Sequence, residues 1–335
     1  MPSQTTDTPA PNIPTISAHI TLANRWDHLK KRLGFGRNKS HIEPGLYAIG
    51  DPGPKSPVFA SANYSLSFDA LRSALKRVDG YILVLDTKGI NVWCAAGKGT
   101  FGTDELVQRI EATSLADVVV HRKLIVPQLG APGTAAHEVK KRSGFIVQYG
   151  PVRARDLPAY LKTGEATDEM RRVRFTLKDR LVLFPVEVIH MLIPTAVIAL
   201  LFYLIGGLPA ALGAAVAITL GAVLFPILFP WIPTANFSTK GFILGGLAAV
   251  PFIVIRFTGG TDTELWQRSI WGLTHLLLIP SITAFLALNF TGSTTFTSRS
   301  GVRKEIFTFF PVMAWMFGSG VVISIVMTIM RFIRV

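Results

Sequence analysis

The feature that most constrains this chain is a succession of five apolar runs in its C-terminal half. They cover residues 185–206, 208–230, 241–257, 267–289 and 307–330. A helix needs about 20 mostly apolar residues to cross the hydrocarbon core of a bilayer. One such run can be a buried helix of a soluble protein, but five in succession favour a membrane domain. The pattern therefore predicts an all-α transmembrane domain of about five helices over residues 185–335.

Charge is concentrated in the part of the chain that precedes these runs. The net charge is +13, which by itself is compatible with nucleic-acid binding. No groove-reading motif accompanies the charge, so we expect no nucleic-acid partner. A basic cluster instead lies directly before the first apolar run, which predicts a cytoplasmic soluble part, an inner-membrane location and contact with membrane lipid. The cluster comprises Arg171, Arg172, Arg174, Lys178 and Arg180.

Residues 44–168 alternate short apolar strands with amphipathic helices, as doubly wound α/β domains do. The predicted strands cover 57–60, 81–85, 118–120, 124–126 and 145–149, and the predicted helices cover 68–78, 104–110, 134–142 and 158–162. The continuous apolar run at 81–85 predicts a strand that is covered on both faces. We therefore predict a flexible, basic segment over residues 1–43, a Rossmann-like domain over 44–168, a basic linker over 169–184 and then the membrane domain.

The only cysteine of the chain, Cys94, follows the apolar strand at 81–85. A single cysteine cannot form an intramolecular disulfide or a cysteine-rich metal site. The open alternatives are a buried apolar residue, a nucleophile, and one soft ligand to a cofactor metal. Asn91 suits a helix N-cap and Gly97 suits the position after a last turn. Cys94 is therefore predicted on a short helix beyond a strand.

The segment Asn91-Val-Trp-Cys-Ala-Ala-Gly-Lys98 resembles the cap-helix motif of the HgcA family, the corrinoid proteins of microbial mercury methylation. The order of a soluble domain before a membrane domain is also similar to that family. The resemblance implies a corrinoid (cobalamin-type) cofactor in a domain related to the large subunit of the corrinoid iron–sulfur protein, with Cys94 as the lower axial ligand of the cobalt. The implied cofactor contacts from this segment are Asn91, Val92, Trp93, Cys94, Ala95, Ala96, Gly97 and Lys98.

Two further segments are expected to line the cofactor. Residues 57–67 resemble a stretch of both corrinoid families, in which small polar residues after a strand line the corrinoid. Residues 126–133 form a strand-end loop with two glycines, and such loops bear ligands in doubly wound sheets. The predicted contacts are Ser61, Ala62, Asn63, Tyr64 and Ser67 from the first segment and Gln128, Leu129, Gly130 and Ala131 from the second.

The resemblance also implies an activity and partners. The implied function is a corrinoid-dependent methyltransferase that passes a methyl group from cobalt to Hg(II), forming methylmercury. Hg(II) is an electrophile, so the methyl group must leave with electron density, and an axial thiolate pushes electrons towards it. One cysteine cannot hold an iron–sulfur cluster, and the resemblance implies that the reductant is a separate ferredoxin-like protein, HgcB, with two [4Fe–4S] clusters. The methyl group would come from a folate-linked donor upstream.

Two alternatives to this function stay open. The same domain would serve a corrinoid methyl carrier of acetyl-CoA and one-carbon metabolism. Residues 97–102 also satisfy G-x-G-x-x-G before a helix, and Asp117 follows at a distance that suits a ribose. That pattern would indicate a membrane transporter or sensor with a nucleotide-binding domain. Against it, the glycines do not follow the strand directly, because residues 91–96 intervene.

Overall fold

The computed structural model describes residues 13–36, 41–258, 264–294 and 298–333. Within these ranges the chain divides into two compact units. The soluble unit contains the residues up to Lys31 together with Phe35–Arg174, and the helical unit contains Arg32–Gly34 and the chain from Phe175 onward. The first twelve residues of the predicted flexible segment lie outside the described residues.

The soluble unit is built on one six-stranded sheet. Its strands are β1 (Thr15–Ile16), β2 (Gly45–Ile49), β3 (Val58–Ala62), β4 (Gly80–Leu85), β5 (Lys123–Val126) and β6 (Ile146–Tyr149), in the spatial order β1-β2-β4-β3-β5-β6. Strands β3 to β6 are mutually parallel, whereas β2 runs antiparallel to β4. The winding direction of the parallel strands reverses between β3 and β5, which leaves a crevice at their carboxyl ends. The α/β prediction is confirmed.

Helices cover both faces of this sheet. One face carries α2 (Ser65–Ala74) and α7 (Leu157–Thr163), and the other carries α3 (Val92–Lys98), α4 (Thr103–Ala112), α5 (Leu115–Val118) and α6 (Ala136–Ser143). β4 is buried along its whole length. Its residues alternate, with Leu83 in the core under α4 and α6 and Ile82 in the core under α2. This two-sided burial is what the continuous apolar run predicts.

Two predicted elements of the soluble unit differ from the structure. Residues 118–120 do not form a strand, because Val118 ends the turn α5 and Val120 is 69% exposed. Val119 is buried and Val118 is partly buried against the same core without forming a strand, and such short apolar runs are ambiguous. The helix predicted over 68–78 runs from Ser65 to Ala74 instead.

Residues 13–36, predicted within the flexible segment, form β1 and α1 (Leu22–Arg32). Polar contacts hold α1 on the domain. Lys31 is only 2% exposed, lies 2.7 Å from the Asp27 carboxylate, and donates to the Ser65 hydroxyl. His28 Nε2 lies 2.6 Å from Asp69 Oδ2 on α2. Both α1 and the contacts that attach it to the domain are polar, so hydropathy in the sequence does not indicate this attachment.

The described part of the helical unit has four continuous helical stretches that are long and apolar enough to cross a membrane. The soluble unit ends shortly after α8 (Asp168–Arg171), and the first stretch, Leu177–Trp231, contains α9 (Leu177–Leu181), α10 (Phe184–Ile218) and α11 (Phe225–Leu228). The other three stretches contain α12 (Phe237–Thr258), α13 (Leu265–Asn289) and α14 (Arg299–Ile333).

The first stretch folds back on itself at Gly207, whose φ of 70° and ψ of −164° are not helical. Arg180 donates to the Ile227 carbonyl oxygen, and its guanidinium lies 4.9 Å from the ring centroid of Trp231. In one straight helix residues 180 and 227 would be about 70 Å apart, at 1.5 Å per residue. The stretch therefore consists of two arms that correspond to the first two predicted spans, and the prediction of a helical C-terminal domain with membrane-capable helices is confirmed.

Candidate functional site

The three predicted cofactor segments meet at the carboxyl edge of the parallel strands. Residues 61–67 extend from the end of β3, α3 follows β4, and a 3₁₀ helix, Gln128–Gly133, follows β5. α3 contacts both β3 and this 3₁₀ helix. Strands β3 and β5 are the pair between which the winding reverses, and ligands of doubly wound sheets bind there.

Local sequence closes α3 at both ends. The Asn91 side chain accepts a hydrogen bond from the backbone N–H of Cys94 at 2.9 Å, as predicted for an N-cap. The left-handed residue that ends the helix is Gly99, with a φ of 83°, and not the predicted Gly97. Both glycines suit that position in the sequence. Gly97 lies inside the helix, which extends to Lys98.

Glycines let α3 pack closely on the 3₁₀ helix Gln128–Gly133. A Cβ atom at Gly133 would collide with the Phe101 carbonyl oxygen and would lie 3.0 Å from the Ala96 carbonyl oxygen. A Cβ atom at Gly130 would lie 2.5 Å from the Phe101 ring, which is fully buried. The backbone of α3 and the chain after it therefore rest directly on the loop that follows β5.

This packing accounts for the G-x-G-x-x-G match at residues 97–102. Gly99 ends α3, and a Cβ atom at Gly102 would lie 2.6 Å from the Gly99 carbonyl oxygen. The glycines thus serve a helix end and a close backbone contact. The pattern carries no support for a nucleotide site.

The outward face of α3 carries Cys94, which is an exposed free thiol. Gly97 and Lys98, three and four residues further on, share that face and are exposed as well. A Cβ atom built on Gly97 would meet no atom of the described chain within 4 Å. The inward residues are Val92, Ala95 and Ala96, and Trp93 is half-buried. Exposure excludes the alternative of a buried apolar cysteine.

Most of the residues after β3 are buried and support the site from below. The Asn63 side-chain oxygen accepts from the Thr87 hydroxyl at 2.8 Å and from the Gly89 N–H at 3.0 Å, and its nitrogen donates to Asp86 at 3.2 Å. These bonds fix the loop between β4 and α3. Of the predicted cofactor contacts in this stretch, Ser61, Ala62, Asn63 and Tyr64 are buried, and Ser67 is partly exposed.

In the 3₁₀ helix, Gly130 is buried, whereas Gln128, Leu129 and Ala131 are partly exposed. The Gln128 side-chain oxygen accepts from Arg171 at 3.3 Å. The next residue after the 3₁₀ helix, Thr134, has a buried hydroxyl without a hydrogen-bond partner in the described chain.

Two supporting residues escape the sequence prediction. Glu105 accepts from the Asp86 N–H at 2.7 Å and pairs with Arg109 at 2.8 Å, so it joins α4 to the end of β4. The Tyr149 hydroxyl donates to the Thr134 carbonyl oxygen at 2.6 Å, and burial raises the pKa of Tyr149. Glu105 reads in the sequence as an acidic residue in a first helical turn, and its partners depend on the fold.

These residues fit a flat macrocycle that carries its own metal. Cys94 offers one soft sulfur ligand, and Gly97 leaves open space beside it. Thr134 has a buried hydroxyl without a hydrogen-bond partner in the described chain. In the described chain no group of three or more His, Cys, Asp or Glu side chains could hold a bare metal ion. A single thiol suits a metal that a macrocycle already coordinates on other sides.

Fold and site together define a doubly wound α/β domain with an exposed thiol on a short cap helix, followed by helices capable of crossing a membrane. Residues 36–161 match the CdhD family, described as the CO dehydrogenase/acetyl-CoA synthase delta subunit. The residues matched by this family lie in the soluble unit.

Curated relatives show the same similarity. The chain is 34% identical over 128 residues to the acetyl-CoA decarbonylase/synthase complex subunit gamma of Archaeoglobus fulgidus and 33% identical over 128 residues to that of Methanopyrus kandleri. It is 25% identical over 128 residues to the corrinoid/iron–sulfur protein large subunit of Moorella thermoacetica. Each match covers 38% of this chain, and it covers 27% of the two gamma subunits and 28% of the corrinoid/iron–sulfur protein large subunit.

Proposed function

We propose that the soluble unit binds a corrinoid at its carboxyl edge and that the protein takes part in methyl transfer. The observation that carries this proposal is the exposed thiol of Cys94 in a domain similar to a corrinoid/iron–sulfur protein large subunit. The position of α3 beside the switch point of the sheet also supports it. When bound, a corrinoid supplies a cobalt that carries a methyl group from a donor to an acceptor.

In this proposal Cys94 is the lower axial ligand of the cobalt, and the chain holds its thiol in place before the cofactor arrives. Asn91 fixes the first turn of α3, and Gly133 and Phe101 support its underside. Gly97 leaves room for a ring to lie close to the helix. Such preorganisation reduces the cost of binding.

For the acceptor we propose Hg(II), with methylmercury as the product. The support is the similarity of residues 91–98 to the cap helix of mercury-methylating corrinoid proteins, together with the helical unit that follows. An axial thiolate donates electron density, which suits transfer to an electrophile. The chain has one cysteine, so electrons would come from a separate ferredoxin-like partner, HgcB, and the methyl group from a folate-linked donor.

A second candidate is a corrinoid methyl carrier of acetyl-CoA and one-carbon metabolism. The names of the relatives favour it, because they are subunits of acetyl-CoA decarbonylase/synthase complexes and a corrinoid/iron–sulfur protein. The comparisons support this broader function better than they support any particular acceptor. The two candidates share the cofactor site and differ in the acceptor.

The full-length protein, purified in a membrane mimetic and loaded with methylcobalamin, would separate the candidates. We expect retained corrinoid absorption bands and methylmercury on addition of Hg(II). A protein that retains no corrinoid would refute both candidates. A loaded protein that methylates an acetyl-CoA synthase but not Hg(II) would refute the mercury proposal and support the carrier.

We also propose that the helical unit spans the cytoplasmic (inner) membrane several times, with the soluble unit in the cytoplasm. The four long apolar stretches support the placement in a membrane, and the basic residues of segment 171–180 support the orientation with the soluble unit in the cytoplasm.

A further inference from the structure

A large apolar cavity lies inside the helical unit. Its volume is about 620 Å³, within the range of about 300–1,000 Å³ of small-molecule sites. Walls come from α10, α13 and α14, and Ser281 is the one polar residue that lines it within the described chain. The Ser281 hydroxyl already donates to the Leu278 carbonyl oxygen at 3.0 Å. A ligand of this cavity therefore meets hydrocarbon and aromatic carbon.

The cavity is elongated and open along one side. On the first arm of α10 its lining extends from Met191 to Phe202, which is about 16 Å at 1.5 Å per residue. Three of its aromatic residues, Phe285, Phe310 and Phe317, are 41%, 48% and 41% exposed. One bilayer leaflet contributes about 15 Å of hydrocarbon. An open slot of this length suits a single extended acyl chain better than a compact ligand.

Exposed positive charge lies close to one end of this cavity. Arg303 and Lys304 are exposed at the start of α14, and Lys304 precedes the lining residue Phe310 by about 9 Å along the helix. The neighbouring acid, Glu305, is buried and accepts from the Ser238 N–H at 2.5 Å, so its charge is turned into the protein. Basic side chains near a membrane surface attract anionic headgroups.

We propose that the cavity binds one acyl chain of an anionic phospholipid whose headgroup lies at Arg303 and Lys304. The chain would fill space that α10, α13 and α14 leave open, and a ligand that binds the folded state stabilises it. This proposal rests on the membrane placement of the helical unit and not on the corrinoid, so either can fail alone.

The test uses the full-length protein in nanodiscs that contain phosphatidylglycerol with a photoactivatable acyl chain. We expect crosslinks concentrated at lining residues such as Met191, Phe285 and Met313. Phosphatidylcholine with the same chain is the comparison lipid, and we expect it to crosslink less. R303Q/K304Q should remove the difference between the two lipids while the crosslinks to the cavity remain.

Ala314→Phe places a ring in the cavity, and Ala196→Phe makes the same change at an exposed α10 residue outside it. Ala314→Phe should lower the crosslink yield in the cavity about tenfold, equivalent to about 1.4 kcal/mol, and Ala196→Phe should leave it unchanged. If Ala314→Phe does not fold, Ile198→Trp makes the same test from α10.

Crosslinks spread evenly over outward residues such as Leu247, or a yield that neither filling variant lowers, would overturn the proposed site. Equal yields for the two lipids in the wild type would overturn its preference for anionic lipid.

Discussion

The thiol of Cys94 projects outward from a helix whose opposite face is buried. Replacing an exposed residue usually changes the free energy of unfolding by less than about 0.5 kcal/mol. We therefore expect Cys94→Ala to fold as the wild type does. Methylmercury formation should nevertheless fall by more than about 100-fold, because even groups that only orient metal ligands are worth about 10–100-fold.

The measurements for Cys94→Ala are methylmercury formation, the visible spectrum of bound corrinoid and urea unfolding. Lys162→Ala, at an exposed position of α7 on the other face of the sheet, is the control and should retain the corrinoid spectrum. An unchanged spectrum and rate in Cys94→Ala would refute thiolate ligation.

Asn63 acts at the same scale through hydrogen bonds. Its side chain links the end of β3 to Thr87, Gly89 and Asp86 in the loop before α3. Asn63→Ala should lower the free energy of unfolding by about 1–3 kcal/mol, the usual cost of leaving buried polar groups unpaired. Ser67→Ala, at a partly exposed position, should cost much less. Equal urea midpoints for the two variants would contradict the supporting role of Asn63.

Among the elements, α3 is the one on which the site depends. Alanine substitutions at two glycines, Gly97 and Gly133, should change the free energy of unfolding in opposite directions. Gly97 lies in the helix with open space around it, so Gly97→Ala should stabilise the protein without cofactor by about 0.5–1 kcal/mol. The added methyl group would project towards the proposed ring and weaken corrinoid binding. Thermal unfolding and corrinoid titration measure the two effects separately.

Gly133→Ala should destabilise the protein, because its Cβ atom would collide with the Phe101 carbonyl oxygen. Overpacking of this kind costs about 1–3 kcal/mol. If Gly133→Ala were as stable as the wild type, the close packing of α3 on the 3₁₀ helix Gln128–Gly133 would be wrong.

The contact of α1 with the domain depends on pH. Burial alone would raise the pKa of Asp27, but hydrogen bonds from Lys31 and Ser65 and nearby positive charge lower it below its ordinary value of 3.8. The contribution of Asp27 to stability is therefore present above that ordinary value and lost as the pH falls through the lowered pKa. Asp27 is partly exposed, so the effect is small, within about 1 kcal/mol.

Hydrogen exchange of the α1 amides against pH measures this effect. The protection of these amides, taken relative to the intrinsic exchange rate at each pH, should fall at acidic pH in the wild type, and Asp27→Asn should show the lower protection at neutral pH too. A wild-type profile that is flat down to the acidic end would contradict the role of this carboxylate.

Sequence patterns predict elements that depend on neighbouring residues and miss those that depend on distant ones. The N-cap Asn91 is predictable because its partner is Cys94, three residues away. The contact of Gly133 with Phe101 joins two loops that only the fold brings together. For the same reason, Lys31 reads as a solvated lysine until its contact with Ser65 is known.

At the scale of the whole molecule, the reversal at Gly207 decides how many times the chain crosses a membrane. Single cysteines in a Cys94→Ser background test it with a membrane-impermeant thiol reagent. Leu208→Cys lies next to the reversal, and Ala235→Cys lies between α11 and α12. We expect the reagent to reach Leu208→Cys from outside intact cells and Ala235→Cys only after the membrane is permeabilised.

Labelling of both positions from the same side would contradict two separate arms in the stretch Leu177–Trp231. Hydropathy predicts the arms individually, because each is long and apolar enough to span. Hydropathy does not show that the chain reverses at Gly207, because glycine is also tolerated inside continuous membrane helices. The contact of Arg180 with Ile227 is what shows the reversal.

The exposure of the single cysteine has a consequence for how the protein would be assembled in a cell. Thiolates bind soft metal cations strongly, so an unloaded protein would offer Hg(II) a ligand at the position that we propose for cobalt. The proposed substrate would then block the proposed site before the first turnover. If the proposal holds, the protein gains from receiving its cofactor early, and cobalamin scarcity would make it more sensitive to inactivation by mercury.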